Sequence, residues 1–547
     1  MSKVAYYLQE HLHGEVMATA PARRYFSTDA SIFSVPPAII VYPKDENDVR
    51  KTARFAWQLA ERGRVVPVTA RGSGTDLHGA ALGSGIILAF PAHMHRILEL
   101  DEKSGTVVVE PGTNYGKLQQ ALQTHGRYLP PAPASLEYST IGGAVANNAS
   151  GERSIKYGST KDYVKSLRVV LSNGEVIETR RLSKRELNHK LGLSTFEGEI
   201  YRAVDALLEG SQSALDKVAT LNVTRSAAGY ALQDVRHRDG SLDLTPIIIG
   251  SQGTLGIVTE IVMDTEIMTQ ESSLYAAYFD DLQHMQAAIM ELRALPDMPC
   301  LVEMVDGRLL EFAHQFNANL LKGVISPPFP KAVLLVEFDG GKDRAQKKLG
   351  KKAQKIFERY ATHHQLETDP LQQERLLSIR HTAGVLMNTA GDNRRKAVPV
   401  IGDGIVPIEH LTEFIDGIYK LFAQNQLEVA VWGHAGEGSL HAEPILDLSQ
   451  IGDRQKAFRL LEDYNNLVIS LGGSTSAEAG DGRLLAPYLQ KLYGNEMYDL
   501  FQKIKQIFDP YGLLNPGVKI NVRLEDIKPL VRQDYGLEHL ASHMPRT

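Results

Sequence analysis

Residues 69–79 read "TARGSGTDLHG". The stretch follows a β-branched run, "RVVPV", and sets Gly72, Gly74 and Gly79 among small polar residues. Glycine there lets backbone N–H groups come close to an anionic ligand. Two common phosphate motifs fail on this loop. A G-x-G-x-x-G dinucleotide fingerprint needs glycine where Leu77 stands, and it needs a helix next; the following "IILAF" reads as a strand. A P-loop needs Gly-Lys-Ser/Thr, which the chain does not contain. The loop therefore predicts a backbone cradle set between two strands.

Two more segments of the same texture follow, "STIGGAVANNASGERSIKYGSTKD" at 139–162 and "IIIGSQGTLGIVTE" at 247–260. One such loop is most simply a tight turn. Three in one region can wrap a dinucleotide with backbone donors alone. Around them, to about residue 270, short β-branched strands alternate with helices such as "KDENDVRKTARFAWQLAERG", opened by acids and closed by Gly63. An N-terminal arm (1–34) carries a helix with Val4, Tyr7, Leu8 and Leu12 at helical spacing. From about 271 to 510 long amphipathic helices alternate with isolated strands such as "KAVLLVEFDG" and "LEVAVWGHAG", which predicts a second α+β domain. Residues 511–547 begin with a loop-like return, "YGLLNPGVKI", and end in a polar tail.

At 547 residues the chain is too long for one ordinary core, and its 43% hydrophobic content is that of a soluble globular protein. A net charge of −6 gives no global attraction to nucleic acid. The single cysteine, Cys300, leaves no internal disulfide, cysteine zinc site or iron–sulfur cluster within this chain. The N-terminus lacks the apolar run of a signal peptide, and no stretch approaches ~20 apolar residues. A cytoplasmic protein without a transmembrane segment is the expectation, compatible with peripheral membrane contact.

These motifs carry a family resemblance. "VPVTARGSGTDLHGAAL", "PPAPASLEYSTIGGAVANNASG", "KYGSTKDYVKSLRVVLSNGEVI", "GSQGTLGIVTEI", "WGHAGEGSLH" and "IFDPYGLLNPGVK" occur in the order seen in FAD-linked D-2-hydroxy acid dehydrogenases. Those enzymes (D-lactate, glycolate and D-2-hydroxyglutarate types) form a branch of the vanillyl-alcohol oxidase superfamily, and the likeness spans roughly residues 35–520. It implies an α+β, two-domain fold, with a p-cresol methylhydroxylase-type FAD-binding domain (35–270) and an α+β cap domain (271–510) that supplies the substrate site. By the same resemblance Arg71, Gly72, Ser73, Gly74 and Thr75 hold the FAD pyrophosphate. Ser139, Thr140, Gly142, Gly143, Asn147, Ala149 and Gly151 line the ribityl and ring side. Gly253 and Ile257 meet the adenine half, and Asn515 approaches from the C-terminal return. Asp76, Gly79, Pro133, Tyr157, Gly158 and Asp162 complete the cofactor set. Thr75 stands where some relatives attach flavin through histidine, so FAD is expected to bind non-covalently. Gln252 replaces the family's glutamate.

The segment "VWGHAGEGSLH" holds His434 and His441 seven residues apart. Alone the pair could be incidental. A catalytic divalent metal needs a third N or O ligand, and "GGSTSAEAGDG" offers Glu478 and Asp481. The resemblance assigns Glu478, giving His434, His441 and Glu478 as ligands of zinc or a similar ion. The chain also departs from the family. Its triplet is Glu478-Ala479-Gly480, so the histidine base position holds alanine. A metal-bound water, Asp481, or one of the two histidines is left to act as base. Glu437 and Ser439 replace an aspartate and an asparagine. Arg380 falls where the family binds the substrate carboxylate, a task suited to a guanidinium. Ile401 replaces a lysine anchor, with Arg394, Arg395 and Lys396 nearby, and His381 and Trp432 are pocket candidates.

The expected activity is oxidation of a D-2-hydroxy acid, lactate- or 2-hydroxyglutarate-like, with hydride passing to flavin. The expected partners are a small-molecule substrate and an electron acceptor (quinone, carrier protein, separate iron–sulfur subunit or oxygen), with no nucleic acid and a homodimer as a candidate assembly. The rival expectations are another alcohol substrate on the same scaffold, a non-redox alkyl transfer, and a flavin-binding subunit with impaired catalysis.

Overall fold

The computed structural model describes residues 3–218, 221–269, 271–340, 344–392, 394–536, 538–541 and 543. The outermost residues of the expected arm and tail, 1–2 and 544–547, lie outside it. Three sheets organise the chain. The first has the order β1 (Glu15–Met17), β2 (Ile39–Tyr42), β4 (Ile86–Ala89), β3 (Val68–Arg71), with β2, β4 and β3 parallel. The connection from β3 to the parallel β4 is the glycine loop itself, so no helix follows the loop, as its sequence predicts. The C-terminal return joins this sheet: Val68 donates its N–H to Leu513 O at 2.8 Å, and Asn515 N–H reaches Val68 O at 2.9 Å.

The second sheet is antiparallel throughout, in the order β5 (Ile97–Asp101), β6 (Thr106–Val109), β9 (Ile257–Asp264), β7 (Val164–Val170), β8 (Val176–Thr179). The burial of β9, "IVTEIVMD", alternates strictly residue by residue, because only one face meets the core. Helix α1 (Lys3–His11) packs Val4, Ala5 and Leu8 inward, with Leu12 just beyond, against α2 (Glu46–Ala60) and β2. Tyr7, expected on that face, is 41% exposed; Ala5 is fully buried instead and lets the helix approach closely. Helix α3 (Tyr115–Gln123) and the short α4 (Ile141–Asn147) cover the second sheet, and Thr140 caps α4 through the Gly143 N–H at 3.2 Å.

The third sheet belongs to the cap region. Its antiparallel order is β13 (His363–Glu367), β10 (Ser272–Phe279), β12 (Ala332–Asp339), β11 (Leu301–Asp306), β14 (Trp432–His434), β15 (Ser439–His441). Helices α5 (Leu282–Arg293), α6 (Gly307–Phe316), α7 (Arg344–Tyr360), α8 (Pro370–His381) and α9 (Leu411–Gln424) divide between its faces. Val302, Met304, Leu334 and Val336 pack against α5, α7 and α9, while Leu301, Val305, Val333 and Leu335 pack against α6 and α8. Cover on both sides explains why β12 reads "AVLLVEFD" with all eight residues buried. Each fully buried Leu or Phe there contributes roughly 1.5–3 kcal/mol. The "LEVAVWGHAG" segment forms a strand only at Trp432–His434, where β11 offers a partner edge. Among the described residues no helix is long and apolar enough to cross a membrane.

Candidate active site

The two histidines lie on adjacent strands of one hairpin. β14 and β15 pair Trp432 with His441 and His434 with Ser439, so residues 432, 434, 439 and 441 project from one face. Spacing of seven with the turn at 435–438 makes His434 and His441 diagonal neighbours, their ring centroids 5.6 Å apart. The turn needs its glycines. Gly438 has φ +83°, and a Cβ on it would meet the Val406 carbonyl, while one on Gly436 would meet Val302 and Ile155.

Glu478 arrives from a separate loop. Ile405 bridges Ser439 on one side and Ser474 on the other, which draws the 474–482 loop against the hairpin. Glu478 Oε1 then stands 3.1 Å from His434 Nε2 and 3.2 Å from His441 Nε2, and accepts from Ser439 Oγ at 3.3 Å. The three potential ligand atoms lie within 4.8 Å of one another. The far nitrogens are occupied: His434 Nδ1 meets Glu303 Oε1 at 2.5 Å, and His441 Nδ1 donates to Gly402 O at 2.8 Å. Both rings thus turn Nε2 toward Glu478, the tautomer a cation would require. This donor set, two imidazoles and a carboxylate beside a cavity, fits a divalent metal of the zinc type.

Glu303 stands at the centre of this support. Continuing the β11–β14 register places it opposite His434, and it also accepts from Arg380 Nε on α8 at 2.5 Å. Burial would raise its carboxyl, but His434 and Arg380 outweigh that and hold it at about 2. Burial likewise opposes charge on His434, yet Glu303 and Glu478 raise the imidazole to about 10. For Glu478, burial is outweighed by His434 and His441, leaving it well below the usual range. Asp403 accepts the N–H groups of Glu478 (2.8 Å) and Ala479 (3.3 Å). Burial pushes Asp403 up to about 6, with His78 opposing and the Glu478 charge adding to the rise.

Beside the hairpin opens a cleft of about 1720 Å³ of empty space, its mouth included. Its wall combines both halves of the chain: Glu478, Ala479, His441 and Asp403 from the cap region, and the three glycine segments from the other. Of the cofactor candidates, Arg71, Gly72, Ser73, Gly74, Thr75, Asp76, Pro133, Ser139, Thr140, Gly142, Gly143, Asn147, Ala149 and Gly253 line it. Ser139 Oγ and Ser150 Oγ are buried in this wall without a protein partner, as expected of donors awaiting a polar ligand. A Cβ on Gly72 would collide with Thr140 Oγ1, so the first and second loops touch only because that side chain is absent. Such a cradle fits FAD.

Other candidates sit behind the wall. The Arg71 guanidinium packs beneath Gly74 of its own loop and donates to Thr28 O at 2.8 Å and to Ala81 O at 3.4 Å, anchoring the N-terminal arm to the loop. Asn515 donates to Ala80 O (2.9 Å) and Gln252 O (2.8 Å), tying the return segment to two of the loops. Gly79 packs on Phe33, Ile257 belongs to the core under the first sheet, and Gly151 packs on Ala132. Asp162 accepts from Ser159 N–H at 2.8 Å beneath Gly158, and Tyr157 donates to Asp339.

One candidate base is corrected. Asp481 is fully buried, paired with Lys519 Nζ at 2.6 Å and accepting from Gly229 N–H (2.9 Å) and Ser476 Oγ (3.0 Å). It locks the loop to the C-terminal return and does not line the cleft. Arg380 is likewise held by Glu303 behind His434, and is not among the cleft residues. Three functional candidates escaped the sequence reading, Glu303, Asp403 and Arg225, while His78 reads in sequence only as a histidine off register for flavin attachment. Arg225 is buried against Glu437, with Nη2 3.9 Å from Glu478 Oε1. Acids inside an apolar strand, as in "LVEMVD", were the available signal for Glu303.

The fold and cleft define a flavin-binding α+β protein. Residues 37–180 match an FAD binding domain and residues 268–518 match the C-terminal domain of FAD linked oxidases. The chain belongs to the FAD-linked oxidase family. It is 31% identical over 527 residues to D-2-hydroxyglutarate dehydrogenase of Escherichia coli K12, covering 93% of this chain and 50% of that protein. It is 28% identical to glycolate oxidase subunit GlcD of Bacillus subtilis 168, covering 90% of this chain and 92% of that subunit. The chain spans about half the length of the D-2-hydroxyglutarate dehydrogenases it matches. Among solved structures, 4-ethylphenol oxidase from Gulosibacter chungangensis shares the fold (TM-score 0.66, 16% identity, 96% of this chain and 99% of that one). So does an alkyldihydroxyacetonephosphate synthase (TM-score 0.65, 18% identity, 94% and 86%).

Proposed function

We propose that this chain is an FAD-dependent oxidoreductase that converts a D-2-hydroxy acid to the 2-oxo acid, assisted by a divalent cation. The observation that carries this reading is the meeting of His434, His441 and Glu478 at the wall of the cleft built by the flavin loops. FAD, when bound, supplies the two-electron acceptor. The chain's own residues do the rest. His434, His441 and Glu478 would hold zinc or a similar ion, which would supply Lewis acidity toward the substrate hydroxyl and carboxylate. Glu303 and the Gly402 carbonyl fix the two rings. The 35–270 region with the 511–547 return binds the cofactor, and the 271–510 cap covers the substrate. FAD is held non-covalently, since Thr75 offers no ring nitrogen.

The named relatives support a lactate-, glycolate- or 2-hydroxyglutarate-like substrate. Electrons then leave to a quinone, a carrier protein or a separate iron–sulfur subunit, in a cytoplasmic enzyme that is free to dimerise. Anaerobic mixing of the FAD- and zinc-loaded protein with a panel of D-2-hydroxy acids tests the reading. Bleaching of the flavin band with at least one acid is expected; no bleaching with any of them overturns it.

A further inference from the structure

Oxidation of a hydroxy acid needs a group to take the hydroxyl proton, and the expected acceptors on this chain are otherwise engaged. Ala479 has no basic atom. Asp481 is locked to Lys519, and His434 and His441 both aim Nε2 at Glu478. A third imidazole reaches the same wall from the opposite side. His78, in the first glycine loop, lines the cleft together with Ala479, Glu478 and Asp403, and is 6% exposed.

Its placement is tightly determined. His78 Nδ1 lies 2.8 Å from the Gly480 carbonyl oxygen. A carbonyl only accepts, so Nδ1 carries the hydrogen and Nε2 is the basic nitrogen. Among the described residues Nε2 has no hydrogen-bond partner. The backbone is clamped as well. His78 N–H donates to Asp76 Oδ2 at 3.0 Å, and His78 O accepts from Arg483 N at 2.8 Å and Leu484 N at 3.2 Å. Gly482 leaves no room for a side chain at this contact. The ring is therefore pinned one residue from Ala479 in the wall of the cleft, with Nε2 free of a protein partner among the described residues.

We propose that His78 is the general base of this enzyme, doing from the flavin loop what a histidine at position 479 would do from the cap. The proposal rests on the hydroxy acid reading above. In the step, the Cα–H electron pair leaves as hydride to the flavin, the O–H bond breaks, and C=O forms. The proton ends on His78 Nε2; the substrate loses two electrons and the flavin gains them.

The test uses FAD- and zinc-loaded protein in anaerobic stopped flow, comparing wild type with His78→Ala and with His78→Asn, whose amide can still donate to Gly480. Both variants should reduce flavin about 10²–10⁴-fold more slowly per bound FAD, at unchanged zinc content. The acid limb of the rate–pH profile should vanish, and added imidazole should restore part of the rate to His78→Ala. Rates within threefold of wild type, or slow variants that keep the acid limb, overturn the base assignment and leave the hydroxy acid reading standing. A wild type that bleaches with no acid overturns both. Independently of turnover, ¹⁵N NMR of the oxidised protein should show His78 protonated at Nδ1; an Nε2–H tautomer overturns the geometry.

Discussion

Glu303→Gln probes the proposed cation site from behind, without altering His434, His441 or Glu478. Glu303 is fully buried and meets two donors, His434 Nδ1 and Arg380 Nε, each at 2.5 Å. A glutamine offers one oxygen and one amide, so at least one donor loses its partner. The buried Arg380 cation is then uncompensated, which costs about 3–5 kcal/mol when one member of a buried pair is removed. Arg380 retains 11% side-chain exposure, which points to the lower end. His434 also loses the contact that fixes its tautomer, and such supporting carboxylates are worth about 10–100-fold in metal affinity, or about 1.4–2.7 kcal/mol. The two effects separate in the double variant Glu303→Gln/Arg380→Gln. Removing the orphaned cation should recover part of the stability in urea unfolding of the metal-free protein. Zinc affinity, read by competition with a chromophoric chelator, should stay weak because His434 Nδ1 is still without its carboxylate. A folded Glu303→Gln protein that binds zinc as tightly as wild type would refute the reasoning.

Three further outcomes follow from particular contacts. Gly72→Ala should lower flavin content by displacing the Thr140 hydroxyl and should cost about 1 kcal/mol through the lost cap on α4; Gly72→Ala/Thr140→Gly should regain flavin, and a single variant with full flavin content would contradict the packing. Asp481→Asn should lose about 3–5 kcal/mol of stability because Lys519 is left buried and unpaired, while the rate–pH profile of surviving enzyme stays that of wild type; a lost pH limb would return Asp481 to the chemistry. Burial raises Asp306 from 3.8 to about 6, so the native state binds that proton more readily than the unfolded chain. Its contribution to stability therefore declines as pH rises from about 4 to about 6, by on the order of 3 kcal/mol, and Asp306→Asn should lack that slope in urea titrations.

What the sequence made legible was whatever depends on local pattern. The apolar run "AVLLV" within "KAVLLVEFDG" marks a strand, and that strand forms as read, with both faces covered. Tyr7 was misplaced because helical spacing marks a stripe, and the neighbour at the stripe's edge with the smaller side chain packs closer. "LEVAVWGHAG" was read too long because strand composition does not reveal how far a partner edge extends. The histidine pair was legible for a related reason: a hairpin turn is local, and it alone brings residues seven apart onto one face. Glu303, Asp403, Arg225 and His78 depend on contacts between segments distant in the chain; Glu303 and His434 are 131 residues apart. No periodicity carries that information.

The charge balance of the site gives those hidden residues a common logic. Four buried or nearly buried carboxylates converge on the hairpin: Glu303, Asp403, Glu437 and Glu478. Uncompensated, each would be costly. Arg380 answers Glu303, and Arg225 answers Glu437. Asp403 accepts two backbone N–H groups, and burial raises it to about 6. Glu478 faces two ring nitrogens, Nε2 of His434 and Nε2 of His441, whose opposite sides are already fixed. Arg225 Nη2, buried without a hydrogen-bond partner, stops 3.9 Å short of Glu478. The arginines thus neutralise Glu303 and Glu437 and leave Glu478, a carboxylate of the cleft wall, to the two imidazoles. That arrangement concentrates attraction for a divalent cation at the point where both imidazoles can share it, facing the loops that cradle flavin.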